Sequence, residues 1–376
     1  MTTASVECTR YAQGIAPQGY PQPERYVCYR AAGPMTIDGK LDEPSWERAP
    51  WTQCFVDIEG DLKPRPRFST RAKMLWDDDY LYIAADMEEP HLWATVAERD
   101  VPVLVNHDFE VFIDPDGDAH EYYELEMNAL NTIWDLFLVK PYRDLAPVAP
   151  LSGDGSVSPA VTAWSIAGLK SAVHLRGTLN RNTDVDDGWS AELALPWKVL
   201  RECAYRPAPP GDGDQWRINF SRVEHHLENV GTTYRGREGA AVDNWVWSPH
   251  RILNMHYPEL WGYVQFSTKV VGEGEAELAF HPEREAQEAL SRIYYSQKGY
   301  YREHGRFSDR WEDLVVRDPG LTCFRWPPRI QVTDSLFEAS LEEKEDYDGD
   351  GSRACWRIRQ DSKLWRTRCT VAGPLR

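Results

Sequence analysis

From Met35 to Ser267, apolar and polar residues alternate in short runs separated by turn residues, and segments of helical period are almost absent. "TRAKMLWDDDYLYIAADM" alternates on both sides of an acidic turn at 77–79, the pattern of a hairpin. "FEVFID" and "YYELEMNAL" predict the next hairpin, and "KSAVHLRGTL" with "GWSAELALPW" another around 180–188. "QWRINFSRVE" and "LWGYVQFS" complete the set. Short strands at this spacing predict a mainly β chain folded as an antiparallel β-sandwich. The period changes at residue 270, where "PEREAQEALSRIYYSQKGYYREHG" sets Ala289, Ile293 and Tyr294 on one side of a helix that Gly305 stops. "CFRWPPRIQV" follows, and "ACWRIRQDSKLWR" has a hairpin pattern. The chain therefore divides into an N-terminal arm (1–34) rich in Pro, Gly and Gln, a sandwich (35–269), and a small α+β appendage (270–376) of a helix plus a hairpin. Residues 145–159, rich in Pro, Ser and Gly, are predicted to be a loop insertion.

The hairpin at 107–136 poses a problem of charge. Phe109, Val111 and Ile113 alternate with Asp108, Glu110 and Phe112; Leu125, Met127 and Ala129 alternate with Glu124, Glu126 and Asn128. The apolar set faces the core, which puts the acids on the opposite face of the sheet. Glu110 and Glu126 are equally far in sequence from Asp118 at the turn, so they are predicted cross-strand neighbours, about 5 Å apart. Their repulsion calls for a bound cation, a nearby arginine or a shared proton. On "WRINFSRVE", Ile218 and Phe220 point inward and leave Asn219 and Ser221 on the outer face, with Arg222 and Glu224 following where the strand twists out of alternation. Carboxylates, amides and an arginine beside aromatic rings suit sugar recognition: hydroxyls need paired donors and acceptors, and C–H faces need a flat ring. The competing account is a solvated outer face with ordinary ion pairs.

Composition narrows the field. Among 376 residues, 42% hydrophobic content supports a core, and 16 Trp with 18 Tyr supply rings that pack cores or line sugar-binding surfaces. A formal charge of −18 argues against a nucleic-acid partner and fits a neutral or cationic ligand, or calcium. No apolar run is long enough to span a membrane, and the N-terminus has no signal-peptide pattern, so the chain reads as cytoplasmic, or as extracellular if this is a mature form. The seven cysteines (8, 28, 54, 203, 323, 355, 369) show no CxxC spacing and so no zinc pattern; they are predicted to be mostly buried thiols, with one disulfide open to Cys323, Cys355 and Cys369.

"MTIDGKLDEPSWERAPW", "AKMLWDDDYLYIAADMEEPH", "NHDFEVFIDPDGDAHEYYELEMNALNTIWDL", "GWSAELALPW", "GDQWRINFSRVE" and "WVWSPHRILNMHYPELWGYVQFS" together resemble the family 9 carbohydrate-binding module, and more nearly its family 9-like variants. That family is similar to the DOMON domains, β-sandwiches of jelly-roll type that bind sugars or haem. The resemblance covers 35–267 and implies binding of oligosaccharide or polysaccharide, as at cellulose or xylan chain ends, with calcium stabilising the fold. It puts Glu110 where the family carries a sugar-contacting Glu, and Asn219 and Ser221 on the strand that contributes an amide contact. Glu126 lies near a position where the module has Arg. The two clamping tryptophans have no counterpart: Leu104 and Val105 stand before "DFEVFID", and Met255, His256 and Tyr257 before "LWGY". Trp134, Trp245 and Trp247 are substitutes by type. The expected sugar-binding set is Glu110, Glu126, Asn128, Trp134, Asn219, Ser221, Arg222 and Trp247.

Two acidic turns, "DPDGD" with Asp114, Asp116 and Asp118, and "DYDGDG" at 346–351, place carboxylates at alternate positions as calcium sites do. The first is the expected calcium site; the second has Arg357 where an EF-hand loop has its bidentate Glu, and Asp–Gly turns are common without metal. His91, His120, His225, His226 and His256 do not form a metal box. A non-catalytic carbohydrate-binding protein is the leading expectation. The alternatives are a glycoside hydrolase with Glu110 and Glu126 as its acid pair, and a haem-binding electron carrier, for which Met127 or Met255 with His256 is a poor ligand pair.

Overall fold

The computed structural model describes residues 22–144, 158–347, 349 and 351–369. Parts of the expected N-terminal arm and loop insertion, Cys8, and Asp348 and Asp350 of the second acidic turn lie outside these residues.

The strands are β1 (Arg25–Arg30), β2 (Val56–Asp57), β3 (Thr70–Trp76), β4 (Tyr80–Glu88), β5 (Asp108–Asp114), β6 (Tyr122–Asn128), β7 (Ile133–Leu138), β8 (Ala160–Val161), β9 (Lys170–Arg176), β10 (Gly188–Pro196), β11 (Gln215–Glu224), β12 (Leu227–Val230), β13 (Thr233–Gly236), β14 (Asp243–Val246) and β15 (Gly262–Val270); β3–β6, β9–β11 and β15 match the predicted segments, whereas β1 falls in the expected arm. The main sheet runs β8-β7-β6-β5-β11-β15-β1-β3-β4-β10-β9, with β14 and β2 attached beside β11. Strand β1 is a departure from the all-antiparallel expectation. Its first residues pair parallel to β15 and its last two parallel to β3, so this strand turns the corner between two halves. The halves face each other as a sandwich. Met74, Trp76, Ile83 and Leu193 from one meet Phe109, Val111, Leu125, Ile218 and Phe220 from the other in a single core.

Both outer faces are covered in part. On the β3–β4–β10 side, the short helix α1 (Pro44–Arg48) inserts Trp46 over Leu75, Ala84 and Ala194. On the β5–β6–β7 side, Phe112, Tyr122, Leu136 and Leu138 pack against Ile58, Val246, Met255 and Trp261. Gly262 permits a close approach at this junction, since a Cβ there would meet the Trp247 ring at 2.5 Å. A one-turn helix, α2 (Trp197–Leu200), caps the end of β10.

The C-terminal helix, α3 (Glu283–His304), buries Ala286, Ala289, Leu290, Ile293 and Tyr294 at helical spacing, and Gly305 closes it at φ 68°. It packs on a four-stranded antiparallel sheet, β16 (Arg329–Val332), β17 (Phe337–Glu342), β18 (Ala354–Arg359) and β19 (Leu364–Arg368), two strands more than the expected hairpin. Cys355 and Cys369 form a disulfide; Cys28 is a buried free thiol, while Cys54 is exposed and Cys203 half-buried. This appendage docks on the sandwich through polar contacts: Asp144 accepts from Tyr294 Oη (2.5 Å) and Ser362 Oγ (2.8 Å), and His120 Nε2 lies 2.7 Å from the Asp361 carbonyl. No helix among the described residues is long and apolar enough to cross a membrane.

Candidate functional site

The register of β5 and β6 pairs Glu110 with Glu126, as the distance from the turn predicts. On either side the row continues, with Trp134 of β7 opposite Glu126 and Ser221 of β11 opposite Glu110. Trp134, Glu126, Glu110 and Ser221 therefore form one transverse line across the outer face, because side chains at paired positions share a face. Asp108 and Asn128 form the neighbouring pair.

This face is not an open, solvated surface. Glu110 and Glu124 are 5% exposed, Glu126 is 1% and Asp108 is 0% exposed. One oxygen from each of Asp108, Glu110 and Glu126 lies within 4.8 Å of the others. Glu126 Oε2 accepts the backbone N–H groups of Val103 and Leu104, both at 3.0 Å, and Asp108 Oδ1 accepts that of Val223 at 3.0 Å. The second oxygen of Asp108 and Oε2 of Glu124 are buried without a hydrogen-bond partner. Burial pushes the Glu110 carboxyl up to about 7, and the Ser221 hydroxyl opposes this in part. Asp108, Glu124 and Glu126 are driven well above the carboxylate range by burial first and by the charge of Glu110 second. Trp134 and Tyr142 are half-buried at the margin of the apolar cluster beside these acids, and burial followed by the charges of Glu124 and Glu126 pushes the Tyr142 phenol up to about 12.

The remaining expected residues fall elsewhere. Asn128 points to this face, but its amide holds the chain: Nδ2 donates to the Val96 carbonyl at 2.8 Å, and Oδ1 accepts from Leu130 and Thr132. Asn219 is likewise engaged, with Nδ2 donating to the Ser248 carbonyl and Oδ1 accepting from Ser248 N. Trp247 is 2% exposed in the main core, tilted 37° against Phe220 and edge-on to Tyr26. Trp245 is also buried, with the Arg222 guanidinium over its ring.

Arg222 does not lie on the face of Glu110 and Glu126. Strand β11 stays regular through Glu224, so alternation sends Arg222 and Glu224 to the same side as Phe220. There Arg222 donates to Glu89 (2.8 Å), Glu224 (2.9 Å), Thr70 Oγ1 and the Glu88 carbonyl. His107 completes this buried network, with Nδ1 3.0 Å from Glu89 and Nε2 3.6 Å from Glu224. Burial opposes ionisation of Glu89, but His107 and Arg222 outweigh it and hold the carboxyl at about 2; burial dominates at Glu224 and pushes it up to about 7. Sequence reading missed this network because Glu89 and His107 sit at strand ends, outside any periodic pattern.

The 114–118 turn brings Asp114, Asp116 and Asp118 together, with one oxygen from each within 4.8 Å of the others. Burial and then the charges of Asp118 and Asp114 push the Asp116 carboxyl up to about 9. Asp114 accepts the N–H groups of Gly117 and Ala119 with its two oxygens, and Asp118 lies 3.2 Å from Lys363 Nζ. Met127 lies in the main core, whereas His256 packs on the other side of the sheet, with Nδ1 2.9 Å from Tyr122 Oη and the ring edge-on to Tyr142. They do not converge on one pocket.

Residues 37–136 match the model of the "Carbohydrate family 9 binding domain-like" family. Over 92 residues the chain is 32% identical to Exoglucanase XynX of Acetivibrio thermocellus and 29% identical to Endo-1,4-beta-xylanase C of Paenibacillus barcinonensis. Each match covers 24% of this chain and 8% of the relative, so the chain spans a small part of those proteins' length. Among solved structures, a family 9 carbohydrate binding module from Caldicellulosiruptor kristjanssonii in complex with cellotriose is similar at 14% identity and a TM-score of 0.41, over 68% of this chain and 99% of that one. The hairpin that carries Glu110 and Glu126 lies inside the matched segment, and the region from 37 to 136 is a carbohydrate family 9 binding domain-like segment.

Proposed function

We propose that this chain binds a carbohydrate without altering it, at the face of β5, β6 and β11 centred on Glu110 and Glu126. The observation that carries the reading is the family match over 37–136, which contains that acidic hairpin. Supporting it, register sets the two acids opposite each other, backbone N–H groups hold Glu126, Trp134 lies across from Glu126, and Tyr142 packs on the same apolar cluster as Trp134. Fixed acceptors beside aromatic rings meet the two needs of a sugar, hydrogen bonds for hydroxyls and a flat surface for C–H groups. The relatives are named for action on xylan and glucan, so xylo- and cello-oligosaccharides are the first ligands to try. Calorimetry of the full chain against both series is the test. Binding that is weakened in Glu110→Gln supports the assignment, and no heat with either series at millimolar concentration overturns it.

One observation favours hydrolysis as a second reading. A Glu110 carboxyl pushed up to about 7 is what a general acid requires, and Glu126 lies directly across from it. Against this, the acids are almost completely covered, and glycoside cleavage needs both carboxyls to reach the scissile bond. Release of reducing ends from xylan, abolished in Glu110→Gln, would establish this second reading.

A further inference from the structure

Buried like charges need compensation, and around Asp108, Glu110 and Glu126 the described residues supply backbone N–H groups and a hydroxyl. The partners found for the three carboxylates are one another, the N–H groups of Val103, Leu104 and Val223, and the Ser221 hydroxyl. Arg222, the nearest arginine in sequence on β11, is directed to the opposite face and bound to Glu89 and Glu224. A shared proton would place a carboxyl–carboxyl hydrogen bond at the centre of the cluster, yet Asp108 Oδ2 is fully buried with no partner.

We propose that Asp108, Glu110 and Glu126 hold a hard divalent cation of the calcium type, and that vicinal hydroxyls of a sugar complete its coordination. Calcium lies about 2.4 Å from its oxygen ligands, so two ligands on opposite sides of one ion are separated by about twice that distance. One oxygen from each carboxylate lies within 4.8 Å of the others, close enough for all three to ligate one such ion. Three carboxylates supply the charge and too few ligands to fill the six to eight positions calcium takes, which leaves places for hydroxyl oxygens or water. The ligands are also oriented from behind. The Val103 and Leu104 N–H groups fix Glu126, and that of Val223 fixes Asp108, the arrangement that makes a first shell rigid. A substituted ammonium group answers the charge less well: it carries one positive charge against three carboxylates.

The second half of this proposal rests on the carbohydrate reading; the first half does not. The test therefore has two arms. In the first, the full chain is stripped with a chelator and titrated with calcium alone by calorimetry, beside Asp108→Asn and Asp116→Asn. We expect one site that weakens at least about tenfold in Asp108→Asn and is unchanged in Asp116→Asn. The Asn side chain keeps an acceptor for Val223 N–H, and circular dichroism checks that the variant folds; Glu110→Gln replaces it if it does not. Absence of calcium binding overturns the proposal. So does a site lost in Asp116→Asn and kept in Asp108→Asn, which puts the ion in the 114–118 turn. In the second arm, xylotriose and cellotriose are titrated with calcium and with chelator. Loss of at least about tenfold in affinity under chelation supports bridging, and equal affinity in both conditions overturns it. Calcium binding at Asp108 with no response to either sugar upholds the ion and rejects the carbohydrate reading.

Discussion

Replacing Arg222 with Met separates a structural arginine from a sugar-binding one. The side chain is 0% exposed and ties three elements together: Thr70 at the start of β3, Glu88 and Glu89 at the end of β4, and Glu224 on its own strand. Met fills a similar volume but leaves two carboxylates, each 1% exposed, without their arginine partner. Breaking a buried ion pair from one side costs about 3–5 kcal/mol, because the orphaned charge stays in a poorly solvating interior. His107 remains beside both acids and takes up part of the loss, which favours the lower end, near ~3 kcal/mol. At about 2–4 °C per kcal/mol for a domain of this size, the melting temperature falls by roughly 6–12 °C. Urea titration followed by tryptophan fluorescence gives the free energy, and calorimetry on the folded variant gives glycan affinity. Stability is expected to fall while affinity holds. A variant as stable as the wild type that has lost sugar binding would refute the assignment and return Arg222 to the binding face.

Burial holds the His256 imidazole down at about 3, against 6.5 when unfolded, so its contribution to stability is present above pH 6.5 and lost as pH falls toward 3. Glu110 works in the opposite sense, losing stability as pH rises from 4.5 through 7, so the informative quantity is the difference between wild type and His256→Gln. That variant is expected to flatten the dependence of unfolding free energy on pH between 4 and 6 by about 1.4 kcal/mol per pH unit; identical slopes would refute it. Gly262→Ala drives a methyl into the Trp247 ring and is expected to cost roughly 1–3 kcal/mol by urea titration; an unchanged midpoint would show that the ring moves freely. Reducing the Cys355–Cys369 disulfide, which closes a span of 14 residues, is expected to destabilise the C-terminal sheet by about 3 kcal/mol without altering glycan affinity. Ending the chain after Lys269 removes the partners of Asp144, His120 and Asp118 but none of the residues assigned to the binding face, so a folded truncation is expected to keep its affinity.

The parts of the fold set by local pattern were legible. Register in the 108–128 hairpin follows from the position of its turn, so pairing Glu110 with Glu126 needed only counting. The helix followed from the spacing of Ala289, Ile293 and Tyr294 and from the glycine that ends it. Strand β1 was not legible as a sheet member, because parallel pairing with β15 and β3 joins residues far apart in the chain and leaves no local turn to read. Tyr26 and Cys28, buried at alternate positions in "RYVCYR", were its available signal.

The burial of the acidic face was hidden for a related reason. Alternation on β5 and β6 separates two faces correctly, but it does not by itself say whether the outer one is covered. Phe112, Tyr122, Leu136 and Leu138 occupy outward positions too, and apolar residues there mark a sheet covered on both sides. The segment that covers them, with Met255 and Trp261, comes more than a hundred residues later and has no strand or helix period to reveal where it packs. Recognising that cover changes the chemistry expected of Glu110 and Glu126. On a solvated face, water would screen their repulsion and the pair would cost little. Under a lid the same pair is pushed toward protonation, and the Asp108 oxygen beside it goes without a partner. A protein keeps such an arrangement against its own stability only where something outside the chain answers it, so burial of these acids argues for a ligand more strongly than their exposure would.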